Sequence, residues 1–179
     1  MSDTLPPPNI LAAGKYLSLV ARGKWEYAAR TKASGAVNVV AVTPEGKFLM
    51  VEQFRVPLGR NSIELTAGLV GDTAGDENEA LQTGAERELL EETGYVAARW
   101  EWLLTGPSSA GLTNEEISFF RAGELTRVHA GGGIDNENIV VHEIPLTEVA
   151  AWLKAQAAAG KAVDPKVYAG LFFALQAGG

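Results

Sequence analysis

The chain has 179 residues, which suits one domain, and 46% of them are hydrophobic, so a sizeable core is available. The formal net charge of −7 argues against nucleic acid as a partner, because phosphate backbones attract basic surfaces. The absence of cysteine excludes disulfides, zinc fingers and thiol catalysis, and fits a reducing compartment.

In chain order, "MSDTLPPPN" predicts an extended tail, since three prolines forbid helix. The start carries no basic residue and too short an apolar run for a signal peptide. Nothing approaches the ~18 continuous apolar residues of a membrane helix. Together these set the expectation of a soluble cytoplasmic protein. "KYLSLVARGKWEYAART" predicts two strands around a turn at Arg22–Lys24. "AVNVVAVTPEGKFLMVEQFR" predicts a hairpin turning at Pro44-Glu45-Gly46. "NSIELTAGLV" predicts a short strand running into glycine, and "GDTAGDENE" a loop. Residues 77–93 predict a helix whose apolar face is Leu81, Ala85 and Leu89, stopped by Gly94. Three strands follow, "YVAARWEWLLT", "ISFFRAGEL" and "IVVHEIPL", separated by the loops "GPSSAGLTNEE" and "HAGGGIDNEN". "TEVAAWLKAQAAAG" predicts a helix capped by Thr147 with Val149, Trp152 and Leu153 as its core face. "DPKVYAGLFFALQ" predicts a closing helix, with Asp164 as cap and Pro165 at the first helical position. Mixed strands, a helix, more strands and two helices predict an α+β fold or an α/β/α sandwich, with no repeat and no interdomain linker.

The chemistry concentrates in "AERELLEETGY". On a helix, Glu88 and Glu92 lie about 40° apart and one turn along, and Glu91 lies on an adjoining face. Three carboxylates can therefore converge on one volume. Arg87 stands four residues before Glu91 and can orient it. All-oxygen ligands select hard cations, Mg²⁺ or Mn²⁺. The alternative is a solvated acidic helix face. Leu89 and Leu90 between the acids weigh against it, as does the preceding strand that ends in glycine.

"RELLEETGY" resembles the core of the Nudix box, which reads G, five residues, E, seven residues, R-E-U-x-E-E-x-G-U with U apolar. Counted back from Arg87, the isolated box glutamate falls on Glu79 and the leading glycine position on Thr73. Gly68 takes that glycine's place at the end of a loop five residues longer than the standard one, and Tyr95 occupies the last apolar position. Upstream, "VEQFRVPLGRNSIELTAG" is similar to the corresponding run in ADP-ribose pyrophosphatases. "GPSSAGLTNE" and "GGGIDNENIVVHEIPLTEV" resemble their later loops.

The resemblance implies a Nudix-type α/β/α sandwich with a mixed sheet and an N-terminal β-hairpin extension. Residues 1–34 would supply dimerisation and base recognition, and 35–179 the Nudix hydrolase domain. It implies metal-dependent hydrolysis of ADP-ribose to AMP and ribose 5-phosphate. Another nucleoside-diphosphate sugar such as GDP-mannose is an alternative substrate, and a non-catalytic nucleotide sensor an alternative role. Glu88 and Glu92 become metal ligands, Glu91 a ligand or base, and the Ala67 carbonyl a further ligand, with Mg²⁺ the metal and Mn²⁺ its alternative. Glu137, in a loop able to close over substrate, is a base or completes the metal site, and Asp135 competes with it. Arg55 and Arg30 become phosphate contacts, and Arg55 is otherwise a strand-end arginine. Trp25 becomes a purine platform, or otherwise a core tryptophan. A homodimer is expected. Elsewhere, His142 reads as structural, Ser108 and Ser109 lack a nucleophile frame, and "AGGGI" lacks the lysine and hydroxyl of a P-loop.

Overall fold

The computed structural model describes residues 5–33, 35–71, 80–134 and 138–176. Glu79, Asp135 and Glu137 lie outside the described residues. The N-terminal strands are β1 (Asn9–Ala13), β2 (Leu17–Arg22) and β3 (Trp25–Arg30), in an antiparallel sheet of that order. The expected hairpin is β2 and β3, turning where the sequence indicated. It gains a third strand because the prolines end at Pro8 and leave "NILAA" free to pair. This sheet meets the body through the Ala28 N–H to the Leu112 carbonyl (2.8 Å), a bridge from Ala28 to Thr113 and an ion pair from Arg30 to Glu115.

The body contains β4 (Gly35–Ala41), β5 (Lys47–Arg55), β6 (Arg60–Glu64) and β7 (Thr66–Val70), then helix α1 (Leu81–Thr93). It continues with β8 (Tyr95–Pro107), β9 (Glu116–Arg127), β10 (Val140–Pro145), α2 (Val149–Ala158), β11 (Ala162–Val163) and α3 (Pro165–Gln176). Two mixed four-stranded sheets result, ordered β7-β4-β9-β8 and β10-β5-β6-β11. In the first, β4 runs parallel to β9; in the second, β11 runs parallel to β6.

The segment "AVNVVAVTPEGKFLMVEQFR" does turn at Pro44–Gly46, with the Thr43 N–H bonded to the Lys47 carbonyl. It is not a hairpin beyond that turn. One bridge joins Val42 to Phe48, and then β4 and β5 part into different sheets. Each strand is buried on both faces and finds partners on both edges, β4 with β7 and β9, β5 with β10 and β6. "NSIELTAGLV" likewise divides at Leu65 into β6 and β7, one per sheet.

Side-chain alternation along β4 feeds two cores. Val37, Val39 and Ala41 pack with Leu49, Ala85 and Leu89 under α1. Ala36 and Val40 pack with Phe48, Met50, Ile63, Val149, Leu153 and Val167 under α2 and α3. Helices thus cover both faces, and the sandwich expectation holds.

Local signals explain two of the helix ends. Gly94 takes the left-handed conformation (φ 74°) that stops α1, and a β-carbon there would overlap the His129 carbonyl. Asp164 caps α3 by accepting the Lys166 N–H at 2.8 Å, with Pro165 leading the helix. Two expectations fail. Residue 148, not Thr147, occupies the N-cap of α2, and no side chain caps it. Leu81 is 37% exposed, because it sits at the very first position of α1, before the helix reaches the core.

Candidate active site

Burial of Ala85 and Leu89 fixes the rotation of α1 and turns its carboxylates toward β7. Glu88 lies directly over Gly68, where any β-carbon would overlap its carboxylate. Glycine here is a matter of space, since Gly68 pairs with Val37 inside a regular ladder. Glu92 is only 4% exposed and accepts the Ala67 N–H at 3.2 Å. Arg87 bridges rather than forks: its Nη1 donates to Glu88 Oε1 (2.8 Å) and Glu91 Oε2 (3.2 Å), and its Nη2 to the Leu69 carbonyl (3.1 Å). One guanidinium therefore ties two helix carboxylates to strand β7.

The loop after β9 closes on the end of this helix. The Gly132 N–H donates to the Glu92 carbonyl (2.8 Å) and the Gly133 N–H to the Glu91 carbonyl (3.0 Å). These satisfy carbonyls that a helix C-terminus leaves without partners.

Glu88 and Glu92 border a cavity of about 690 Å³. Its floor includes Ala36, Asn38, Ile117 and Ala67; its walls include Gln53, Arg55, Ser62 and Glu64; Arg30 and Glu115 close one side, and Asp164 and Lys166 at the start of α3 another. Arg55 grips Glu64 with two hydrogen bonds, Nε to Oε1 at 2.9 Å and Nη2 to Oε2 at 2.5 Å. The Glu64 hydrogen bond raises the guanidinium's already high pKa, so Arg55 is cationic at every working pH. Arg30 donates a single hydrogen bond through Nε to Glu115 Oε1. Among the described residues no three carboxylate or imidazole groups stand together at metal-ligand spacing. Glu88 and Glu91 are both turned to Arg87, and Glu92 to the Ala67 amide. The donors are nonetheless all hard oxygens around a glycine-cleared space, a set that fits a divalent cation of the Mg²⁺ class.

The sequence pattern of the NUDIX domain matches residues 32–169. The chain belongs to the Nudix family. Nudix hydrolases generally use divalent metals. The chain is 36% identical over 121 residues to the methanol dehydrogenase activator of Bacillus methanolicus, covering 67% of this chain and 63% of that protein. It is 38% identical over 118 residues to the ADP-ribose pyrophosphatase of Bacillus subtilis (strain 168), covering 65% and 61%. It is 31% identical over 130 residues to the GDP-mannose pyrophosphatase of Pectobacterium atrosepticum, covering 68% and 64%. Each match spans less than two thirds of the relative's own length. The fold resembles the crystal structure of an ADP compounds hydrolase, with a TM-score of 0.66 at 17% identity over 84% of this chain and 82% of that one.

Of the residues expected from the Nudix box, Glu88, Glu92 and Ala67 line the cavity together. Glu91 sits beside them on Arg87, outside the lining. Arg30 and Arg55 line it, each already holding a carboxylate. Trp25 does not. It is 59% exposed at the β2–β3 turn, so it is not a core residue. Sequence reasoning missed Glu64, Glu115 and Asn38. Glu64 had a signal, a lone acid inside the apolar stretch "SIELTAG", where burial requires a partner. Among the described residues, no helix is long and apolar enough to cross a membrane.

Proposed function

We propose that the protein is a metal-dependent Nudix pyrophosphatase that hydrolyses ADP-ribose to AMP and ribose 5-phosphate in the cytoplasm. The observation that carries this is the joint placement of Glu88, Glu92 and the Arg55–Glu64 pair around one cavity. Its volume falls within the range of small-molecule sites, roughly 300–1,000 Å³. The Bacillus subtilis ADP-ribose pyrophosphatase among the relatives supports the substrate.

In this reading Glu88, Glu92 and the Ala67 carbonyl would hold Mg²⁺, or Mn²⁺ in its place, with Glu91 completing the set. Such a cation supplies positive charge to the diphosphate and lowers the pKa of a water. Arg87 keeps Glu88 and Glu91 aligned and prevents their mutual repulsion from splaying the helix face. Arg55 and Arg30, held rigid by Glu64 and Glu115, present cationic edges to the phosphates. Glu137 serves as the base that takes the water's proton. Gly132 and Gly133, a few residues before it in sequence, bond to the same helix end. The water adds to phosphorus as the bridging P–O bond breaks.

The dimer expectation gains support from the N-terminal sheet, which exposes Ile10, Leu11, Tyr16, Leu17, Leu19 and Trp25. These side chains lie on both faces of the sheet, Ile10 and Trp25 on the side of Val20 and Leu17 and Leu19 opposite, and a second copy packed on either face covers part of them.

The GDP-mannose pyrophosphatase relative keeps a second nucleotide sugar in view. A panel of nucleoside-diphosphate sugars with Mg²⁺, read by product identification, separates the two. AMP and ribose 5-phosphate from ADP-ribose support the proposal; preferential turnover of GDP-mannose, or none of any substrate, contradicts it.

A further inference from the structure

We infer that Asn38 is a specificity residue, whose side-chain amide accepts a hydrogen bond from a sugar hydroxyl of the bound nucleotide. The assignment rests on the nucleotide-sugar reading above. Asn38 lies in the middle of β4, between β7 and β9, where its neighbours on the strand are valines. It is only 2% exposed, yet it lines the cavity floor, and its Oδ1 has no hydrogen-bond partner among the described residues. A buried polar atom in that state costs roughly 1–3 kcal/mol. Valine or leucine would fill the place in a strand at no such cost.

The surroundings make room for a ligand rather than for an internal partner. Ala36 shares its face of β4, and Ala67 stands opposite it on β7. Oδ1 is itself buried, and a turn about asparagine's broad terminal torsion brings it to a ligand in the cavity at small cost.

Chemistry narrows what it accepts from. Phosphate oxygens only accept, so they cannot satisfy Oδ1. Ala67, directly across the ladder, holds Glu92 through its N–H. Asn38 therefore sits at the end of the cavity where the diphosphate is cleaved. The donors bonded closest to a diphosphate are the hydroxyls of the sugars on either side of it, with the base one sugar further away.

The test is Asn38→Leu, nearly isosteric, measured by calorimetry in EDTA on the full chain. Three nucleotides serve: ADP-ribose, the methyl ester of ADP, which lacks the terminal sugar, and ADP-ribose with a 2′,3′-dideoxyadenosine half. Asn38→Leu is expected to weaken ADP-ribose roughly 3- to 10-fold. The loss disappears for the methyl ester if the terminal sugar is the donor, and for the dideoxy compound if the nucleoside sugar is. Equal loss on all three, or unchanged affinity for ADP-ribose, overturns the assignment while leaving the proposed function standing. Wild-type protein that binds none of the three in EDTA and turns over no nucleoside-diphosphate sugar in Mg²⁺ overturns both. Should Asn38→Leu fail to fold, Asn38→Thr against Asn38→Val makes the same comparison, with Thr keeping an acceptor oxygen and retaining the discrimination.

Discussion

On β5, alternate residues face two different worlds. Gln53 and Arg55 line the cavity, whereas Glu52 points the other way and is 6% exposed. Glu52 accepts from Asn61 Nδ2 at 2.7 Å and Lys161 Nζ at 2.8 Å, and is paired with His142 Nε2 at 2.9 Å. These partners come from β6, from the α2–β11 turn and from β10, and His142 is further held by the tilted Trp152 ring at 4.8 Å. Here a carboxylate staples elements together, away from the active-site cavity. On α1, by contrast, carboxylates are gathered by a bridging arginine along a cavity edge, over a glycine that clears their space. The same side chain serves as a fastener when its partners surround it and as chemistry when it fronts open volume.

That contrast can be broken from either side. The largest effect expected is on the fastener. Burial pushes the Glu52 carboxyl up, but hydrogen bonds from Lys161, Asn61 and His142 outweigh it and hold the pKa at about 2, below an ordinary value of 4.5. A depressed folded-state pKa contributes stability that is present above the unfolded value and lost as pH falls. Between pH 4.5 and about 2 the protein should therefore lose about 3 kcal/mol from this group. Urea unfolding of wild type and Glu52→Gln across that window checks it, since the variant should lack this component of the slope.

Next comes the space over Gly68. Gly68→Ala should push Glu88 off its position and lower kcat/KM roughly 10- to 100-fold, the scale seen when metal ligands lose their supports. Activity near wild type would mean that Glu88 has no fixed role. The smallest effect belongs to Arg87→Lys, which keeps the charge but cannot reach Glu88, Glu91 and the Leu69 carbonyl together. A loss of about 10-fold in kcat is expected, with stability changed by less than about 1 kcal/mol because the pair is partly exposed.

The helix half of this site was legible because its logic is local. Ala85 and Leu89 set the buried face, Gly94 the stop, and the four-residue step from Arg87 to Glu91 the brace. The strand half was not. Glu64 meets Arg55 only because β5 and β6 fold back on each other, and Glu115 meets Arg30 across 85 residues of sequence. No periodicity encodes such pairs. In sequence Asn38 is one polar residue in an apolar strand, and its place on the cavity lining is what gives it meaning. At Trp25 the local pattern leaves the partner open. An aromatic in a hairpin suggests packing or stacking, and the sheet that carries it meets the body through Ala28 and Arg30. The hairpin expected at residues 36–55 failed for a related reason, since turn chemistry specifies the reversal but not which strand each arm then pairs with.

The central distinction is tested most directly by comparing Glu92→Gln with Glu52→Gln for ADP-ribose turnover in Mg²⁺ and for thermal unfolding. Glu92→Gln should lose at least ~100-fold in kcat/KM while Tm moves by only a few degrees. Glu52→Gln should keep its activity within a few-fold while Tm falls by roughly 5–10 °C. A fully active Glu92→Gln protein would contradict the account.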